Sequence, residues 1–388
     1  MLRSHQLSLA SRAYLSLANL SLANRSAAKA LPAVTLSAVT LSVAVLAASG
    51  VLPARAEDDA LVCTGGRGGD RIAACTRVIK RAPAPPAYLG RALAHAYEHH
   101  FDAAIADADA ALRLDPNGAA GYRARGEIYY IRGTVGGDRS DFDLAIAEYG
   151  KAIRLLPNDA GTHLQRAQVY QAVGDGDRMI ADYGEAVRLD PGNADVYWKR
   201  GLALSLIRED DDGAIVDFDR VIRLRPEDAA AFESRGAAYG RKGDYDHAIA
   251  DFSAAIRIRP SDAFAYENRG RAYAHKGDYD AAIADFDHAL SLDPDLDAYL
   301  VRAGVHFVRG DYDRAIADCD AAIQLDADAR AYYLRGLVHE AKSDSRGAIA
   351  DFGEALTLNP SWAEVRARRD RLQAAASGQV AGKPPPPK

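Results

Sequence analysis

The stretch SDAFAYENRGRAYAHKGDYDAAIADFDHALSLDP, residues 261–294, contains two helical patterns with one turn between them. In each pattern small and aromatic residues recur at steps of three and four, which is the spacing along one face of an α-helix. The turn falls at Gly277 and Asp278, because glycine readily takes the left-handed backbone that closes a helix. The second pattern ends before Pro294, since the residue preceding a proline is disfavoured in helical geometry. The stretch therefore predicts a helical hairpin.

This hairpin pattern recurs along most of the chain. Prolines close successive copies at intervals of 34 or 35 residues between Pro157 and Pro294. A single hairpin cannot bury its apolar face alone, so the repetition predicts a stack of hairpins with one continuous core. Each copy also has a small residue where its two helices should cross, at Ala92, Gly126, Ala167, Gly201, Gly236, Gly270, Ala303 and Gly336.

A helix pair with this period, a small residue at the crossing and a Tyr or Phe in the second helix resembles the tetratricopeptide repeat family. The resemblance implies an all-α fold, a right-handed superhelical solenoid of about eight helical hairpins over residues 85–360. Residues 57–84 are predicted to form an N-terminal half repeat or cap, and residues 361–376 a C-terminal capping helix. Residues 377–388 are predicted to be a disordered, proline-rich tail.

Two copies depart from the regular length. The second copy holds seven extra residues, 134–140, between its helices, and these are predicted to form a longer surface turn. The fourth copy has one extra residue near Glu209.

Residues 1–56 are predicted to be an export segment outside the fold. An uncharged, largely apolar run at 31–52 is preceded by scattered Arg and Lys, and Ala54 and Ala56 supply the small residues that a signal peptidase reads. The run is long enough for an uncleaved membrane anchor, and the acid-free first 30 residues resemble an organelle transit peptide. Cleavage near Ala56 predicts an exported protein of the bacterial periplasm, whereas an anchor predicts a membrane-attached one.

The three cysteines are predicted to have structural roles. Cys63 and Cys75 flank a glycine-rich segment and would form a disulfide in an oxidising compartment, the alternative being two unpaired small apolar side chains. Two thiolates without matched ligands do not make a zinc site. Cys319 occupies the position of the large second-helix residue, which predicts a buried core side chain.

An arginine precedes the crossing residue in every copy, where the family pattern usually has leucine. An acid follows sixteen residues later, allowing for the two insertions. A guanidinium in a packed position must satisfy its donors, and a carboxylate does so with two hydrogen bonds. We therefore predict a ladder of ion pairs within or between copies; the alternative is a row of arginines that binds an acidic ligand. The arginines are Arg91, Arg125, Arg166, Arg200, Arg235, Arg269, Arg302 and Arg335, and the acids are Asp107, Glu148, Asp182, Asp217, Asp251, Asp285, Asp318 and Asp351.

The resemblance also implies that the first helices line a concave face that binds a protein or peptide. Apolar clusters on this face are Trp198, Leu202 and Leu206 in the fourth copy, and Leu300, Phe307 and Val308 in the seventh; the alternative is burial against adjacent helices. The Lys and Asn that clamp a partner's C-terminal carboxylate in one subclass are missing from the corresponding positions, which disfavours that mode. The predicted contact residues are Leu89, Arg123, Leu164, Trp198, Leu202, Leu206, Glu233, Glu267, Arg271, Leu300, Phe307 and Tyr333.

Charge and motif content disfavour other functions. Residues 1–56 hold five of the 48 basic residues and no acid, so the other 43 basic and 54 acidic residues give a net charge of −11, which repels nucleic acid. No phosphate loop, HExxH or Gly-x-Ser-x-Gly motif occurs, and His95 and His99 lack a third metal ligand. We expect no catalytic residue, metal or cofactor.

These observations predict a non-catalytic scaffold that binds a protein or peptide partner. Two alternatives stay open: a structural subunit of a cell-envelope assembly that stacks on itself or uses its convex face, and a helper of an enzyme or carrier of an unrecognised activity.

Overall fold

The computed structural model describes residues 54–66 and 68–377, which form nineteen α-helices and no strand. The predicted all-α stack of helical hairpins is confirmed. Apart from residues 54–56 and Ser377, the predicted export or anchor segment and the predicted tail lie outside the described residues.

The described chain divides into two units, residues 54–224 and residues 225–377. The eight repeats are consecutive helix pairs, from repeat one, α3 (Pro85–Tyr97) and α4 (Phe101–Leu114), to repeat eight, α17 (Ala329–Ala341) and α18 (Ser345–Leu358). The first unit contains α1 (Ala54–Gly65), α2 (Gly68–Arg81), α3 (Pro85–Tyr97), α4 (Phe101–Leu114), α5 (Ala119–Gly136), α6 (Arg139–Leu155), α7 (Ala160–Val173), α8 (Gly176–Leu189), α9 (Ala194–Ile207) and α10 (Asp211–Leu224). The second unit contains α11 (Ala229–Arg241), α12 (Tyr245–Ile258), α13 (Ala263–Lys276), α14 (Tyr279–Leu292), α15 (Leu296–Arg309), α16 (Tyr312–Leu325), α17 (Ala329–Ala341), α18 (Ser345–Leu358) and α19 (Ala363–Ala376).

Aspartates begin most of the helices and glycines end several of them. The N-cap side chain of Asp262 accepts a hydrogen bond from the backbone of Phe264, and Asp278 accepts one from Ala281. Such caps satisfy backbone donors that have no partner inside the helix. Gly277 closes α13 with φ of 83°, a conformation that costs glycine little. These local signals fix the length of each hairpin.

Close approach of the two helices gives each hairpin its core. A Cβ atom on Gly336 would lie 2.6 Å from the ring of Phe352, and one on Gly201 would lie 2.9 Å from the ring of Phe218. In repeat seven, Ala303 packs instead beside the smaller Cys319, which is fully buried. The small crossing residue therefore makes room for the second-helix side chain that it faces.

The prediction of a longer turn in repeat two is wrong. The seven extra residues lengthen α5 and α6 to 18 and 17 residues, against 14 each in α7 and α8, and leave only Gly137 and Asp138 between them. Gly137 is left-handed and Asp138 caps α6. Arg132 of α5 forms an ion pair with the buried Asp141 of α6 and so joins the added turns of the two helices. This contact favours a helical conformation of the added residues over an open loop.

The segment 57–84, predicted as an N-terminal half repeat or cap, belongs to a hairpin of α1 and α2. The first helix of this hairpin begins before the segment, at Ala54. The predicted Cys63–Cys75 disulfide is confirmed and joins the two helices. Asp59 also accepts hydrogen bonds from Arg77 and Arg81 of α2.

The C-terminal helix α19 packs on α18 and buries Val365, while most of its other residues are exposed. It occupies the segment predicted as a cap. No described helix combines the length and the apolar character that crossing a bilayer requires.

Candidate functional site

Each ladder arginine contacts the acid of its own repeat. Arg269, for example, donates from Nε to Asp285 Oδ2 at 2.8 Å and from Nη2 to Oδ1 at 2.7 Å. Repeat two differs in detail, since both nitrogens of Arg125 donate to Glu148 Oε2. The pairs are Arg91–Asp107, Arg125–Glu148, Arg166–Asp182, Arg200–Asp217, Arg235–Asp251, Arg269–Asp285, Arg302–Asp318 and Arg335–Asp351.

Because these pairs are largely buried, each charged group depends on its partner to compensate its charge. The hydrogen bond to Asp285 raises the pKa of Arg269. The carboxyl of Asp217 is almost fully buried, and burial raises its pKa despite the opposing effect of Arg200. Removing one member of such a pair leaves the other as a poorly solvated charge. The intact pair mainly fixes the position of one helix along the other.

In seven repeats, an aromatic ring three residues before the ladder arginine lies beneath the guanidinium. The spacing is visible in the sequence, but the sequence analysis did not predict this contact. The guanidinium carbon is 5.4 to 5.8 Å from the ring centroid, within the range of a cation–π contact. In repeat three His163 takes this position, and its Nδ1 lies 3.0 Å from Asp182 Oδ1. The rings are Tyr88, Tyr122, Tyr197, Phe232, Tyr266, Tyr299 and Tyr332.

In repeats two, three, four, six, seven and eight, the third guanidinium nitrogen, Nη1, faces the preceding repeat of the same unit. We call the second-helix residue that it meets, two positions after the ladder acid, the junction residue. Asp109 accepts from Arg125, Ser253 from Arg269, Asp287 from Arg302 and Asp320 from Arg335. At the junctions before repeats three and four the residue is Gly150 or Gly184, which has no side chain to accept a bond from Arg166 or Arg200.

The predicted partner-contact residues differ widely in exposure. Leu300, Tyr333, Glu267 and Arg271 are buried, so their assignment to an open face is wrong. Helix stacking explains this: Leu300 packs in the repeat-seven core, and the Tyr333 hydroxyl donates to Glu364 of α19 at 3.0 Å. The residues that stay half-buried are Leu89, Arg123, Leu164, Trp198, Leu202, Glu233 and Phe307, while Leu206 is exposed.

We call the side of the first helices that carries these predicted contact residues the wall. In repeats one to three, polar side chains of this wall form hydrogen bonds and ion pairs with one another. The Tyr97 hydroxyl donates to Glu127 at 2.6 Å, and the Gln165 amide donates to the other oxygen of Glu127 at 3.3 Å. Arg123 pairs with Asp159 at 3.1 Å. These contacts cross between repeats and occupy groups that a ligand would otherwise use.

Repeat four presents a different surface, the repeat-four patch, formed by Trp198, Leu202 and Leu206 of α9. Leu206 is 40% exposed, and Trp198 and Leu202 are half-buried. The indole Nε1 of Trp198 is shielded from solvent and has no hydrogen-bond partner among the described residues. An unpartnered buried donor costs free energy that an incoming acceptor can recover.

In the second unit the wall carries paired charges. Arg271 contacts Glu267 at 2.6 Å within α13. Glu233 of α11 accepts a hydrogen bond from Arg259 at 2.5 Å, yet burial and the charge of Asp262 raise the pKa of its carboxyl to about 7. These groups offer a partner little unpaired charge.

The described residues contain no group of three His, Cys, Asp or Glu side chains placed to hold a metal ion. Burial raises the pKa of the Cys319 thiol well above its usual range, so this thiol stays protonated and is a poor nucleophile.

Comparison with known proteins agrees with the repeat pattern. Two family models, both described as tetratricopeptide repeat, match the chain. One matches residues 89–160, 164–229, 208–263, 233–296 and 267–330, and the other matches residues 329–361. A search of curated protein sequences gave no match.

Several solved structures are similar to parts of the chain. MamA is 31% identical over 44% of this chain and 92% of its own, with a TM-score of 0.39. The C-terminal part of a repeat-containing protein from Cytophaga hutchinsonii is 18% identical over 62% of this chain and 98% of its own, with a TM-score of 0.51. YrrB, titled a TPR protein with an unusual peptide-binding site, is 23% identical over 49% of this chain and 95% of its own, with a TM-score of 0.43. The Cytophaga structure supports the fold alone.

Proposed function

Because the chain belongs to the tetratricopeptide repeat family, we propose that it is a non-catalytic scaffold that binds a protein or peptide on the wall formed by its first helices. The repeat-four patch is the observation that carries this proposal. It combines apolar side chains that water reaches with a shielded indole N–H that lacks an acceptor. A peptide can supply both an apolar side chain and a backbone carbonyl.

The proposed contact has a definite chemistry. An apolar partner side chain would cover Leu202 and Leu206, and burying such a side chain contributes roughly 1.5–3 kcal/mol. A rotation of the indole would bring the shielded Trp198 Nε1 to the surface, where a backbone carbonyl would accept its hydrogen bond and contribute about 1 kcal/mol. Aromatic and aliphatic anchors of this kind dominate the energetics of many protein interfaces.

The charge of the chain favours protein over nucleic acid as partner. Residues beyond 56 carry 43 basic and 54 acidic residues, and the arginines of the ladder are paired with acids in every repeat. A phosphate backbone would therefore meet net repulsion.

We place the protein in an exported, oxidising compartment, as in the bacterial periplasm. The Cys63–Cys75 disulfide supports this location, because such bonds persist where thiols are not kept reduced. Mass spectrometry of the chain isolated from cells tests it. A mature N-terminus near residue 57 and oxidised cysteines are expected, and a full-length chain with free thiols would contradict both export with cleavage and the disulfide.

The binding proposal is tested on the full chain in two steps. Cross-linked capture from cells identifies a partner, and the affinity of that purified partner is then measured for variants. Trp198→Phe keeps a ring but removes the N–H, and is expected to weaken binding roughly threefold to tenfold. Trp198→Ala with Leu202→Ala is expected to weaken it at least thirtyfold, or about 2 kcal/mol.

Val216→Ala is the matched control, because Val216 is a 64% exposed apolar residue on α10, outside the patch. It should leave the affinity unchanged. Equal binding by the native chain and the double variant, with both folded by circular dichroism, would mean that the partner uses another surface.

A further inference from the structure

We propose that the junction before repeat three binds a carboxylate side chain of an acidic protein segment. The site, which we call the Gly150 notch, consists of Gly150 and Arg154 of α6 and Arg166 of α7. It is distinct from the repeat-four patch and does not depend on the binding proposed there.

Because Gly150 has no side chain, a gap remains between the guanidinium groups of Arg154 and Arg166. A Cβ atom built on Gly150 would lie 3.7 Å from Arg154 Nη1 and 3.8 Å from Arg166 Nη1. Nothing else lies within 4 Å of that point beyond the immediate backbone. Gly150 is half-buried and Arg154 is exposed, so an incoming side chain can reach both arginines.

The donors that face the notch are unoccupied among the described residues. Arg166 uses Nε and Nη2 for Asp182, at 2.8 and 2.7 Å, which leaves Nη1 directed toward Gly150. The guanidinium of Arg154 forms no hydrogen bond or ion pair with any described residue. A guanidinium with free donors and a planar fork is well suited to a carboxylate.

The other junctions of the same chain indicate which ligand fits. The nitrogen equivalent to Arg166 Nη1 is held by a carboxylate at three of them, Asp109 on Arg125 at 2.6 Å, Asp287 on Arg302 and Asp320 on Arg335. Each of these aspartates stands at the position of Gly150 in its own repeat. A carboxylate brought by a partner would therefore complete a contact that the chain elsewhere makes for itself.

Local charge singles out Gly150 over Gly184, the other glycine junction. A Cβ atom on Gly184 would lie 3.8 Å from Arg200 Nη1, but the residue equivalent to Arg154 is Arg188, which is already paired with Glu185 at 2.9 Å. The Gly150 notch thus has two available guanidinium groups and the Gly184 junction has one. Two charge-assisted bonds favour an anion more than one.

The test measures binding of a labelled short peptide in which aspartate alternates with alanine, by fluorescence anisotropy at low ionic strength with the full chain. Asparagine in place of aspartate gives the uncharged control peptide. We expect the aspartate peptide to bind and its affinity to fall as salt is added.

Two variants should weaken binding of the aspartate peptide by about tenfold each, because each removes or occupies a charge-assisted hydrogen bond. Arg154→Gln removes one guanidinium, and Gly150→Asp supplies an internal carboxylate that fills the notch. Arg188→Gln is the matched control for loss of a surface arginine and should change affinity little. Trp198→Phe should also have no effect, which separates this site from the repeat-four patch.

Equal binding of the aspartate and asparagine peptides would overturn the proposal. So would equal losses in Arg154→Gln and Arg188→Gln, since that result indicates general attraction to positive charge. Undiminished binding to folded Gly150→Asp would place the peptide elsewhere and equally contradict the notch.

Discussion

Repeats seven and eight differ from repeats three and four in how each is joined to the repeat before it. Arg302 and Arg335 each hold two carboxylates, one in their own repeat and one in the preceding repeat. Among the described residues, Arg166 and Arg200 pair only with the carboxylate of their own repeat, because the junction residue is glycine. The pair within a hairpin is thus constant, while the link between hairpins varies. In a stack of repeats, the strength of neighbour contacts sets how far unfolding spreads, so repeats three and four should open more independently.

Removing a ladder acid should give the largest difference between the two regions. Asp217→Asn leaves Arg200 without a carboxylate and is expected to cost about 3 kcal/mol, as breaking a buried ion pair does. Asp318→Asn leaves Arg302 with Asp287 and should cost roughly half as much. Urea unfolding and hydrogen exchange in α9–α10 and α15–α16 measure the two effects.

Asp143→Asn changes an exposed acid of α6 and serves as the control, with little expected change in either measurement. Equal costs for Asp217→Asn and Asp318→Asn would show that the second carboxylate does not support the ladder. The difference between the two regions would then have no energetic meaning.

Titration of Glu233 sharpens the comparison within the second unit. The pKa of Glu233 is raised from 4.5 to about 7 in the folded chain, so the folded state holds its proton more tightly than the unfolded state. The resulting stabilisation is present below about pH 4.5 and is lost as pH rises through about 7. Residues 225–377 should therefore lose on the order of 1–3 kcal/mol over this interval.

Glu233→Gln should remove that slope, and Glu354→Gln, at an exposed position of α18, should leave it in place. Hydrogen exchange of α11 and α18 at a series of pH values reads the effect. An unchanged slope in Glu233→Gln would assign it to another group.

Installing the missing junction carboxylate should give the smallest effect. Gly184→Asp places an acceptor near Arg200 Nη1, and pairs with a half-exposed acid contribute about 0.5–1 kcal/mol. Gly184→Asn has the same size without the charge, so the stability of the aspartate variant minus that of the asparagine variant isolates the ion pair. This difference should shrink in high salt. A zero difference at low salt would contradict a role for the junction carboxylate.

The sequence was most informative where one position recurs in every repeat. The arginine and its acid appear in all eight repeats, sixteen residues apart once the two insertions are allowed for, so chance is excluded and pairing follows from the need of a packed guanidinium for an acceptor. The same reasoning identified Cys319 as a core residue, since it stands where Phe252 and Phe286 stand in other repeats. The aromatic rings under the arginines recur in seven of the eight repeats and could have been found.

Exposure and loop length were harder to predict, because they depend on neighbours that a repeat pattern does not describe. Tyr333 stands at a position expected to face a partner, but α19 covers it and Glu364 accepts from its hydroxyl. The residues 134–140 resemble a loop by composition, yet only Gly137 and Asp138 lie outside the helices, and Arg132 pairs with Asp141 across the hairpin. Each difference from the prediction thus involves a contact between two particular side chains, which the repeat pattern does not contain.

The lengthened hairpin of repeat two has a practical consequence. Helix α5 is four residues longer than α7, which moves its end outward by about 6 Å at the helical rise of 1.5 Å per residue. Gly137 and Asp138 at this tip are exposed and belong to neither the wall nor the ladder. A fluorophore or an affinity handle inserted between them would report on the motions of this hairpin without altering a residue of the wall or the ladder.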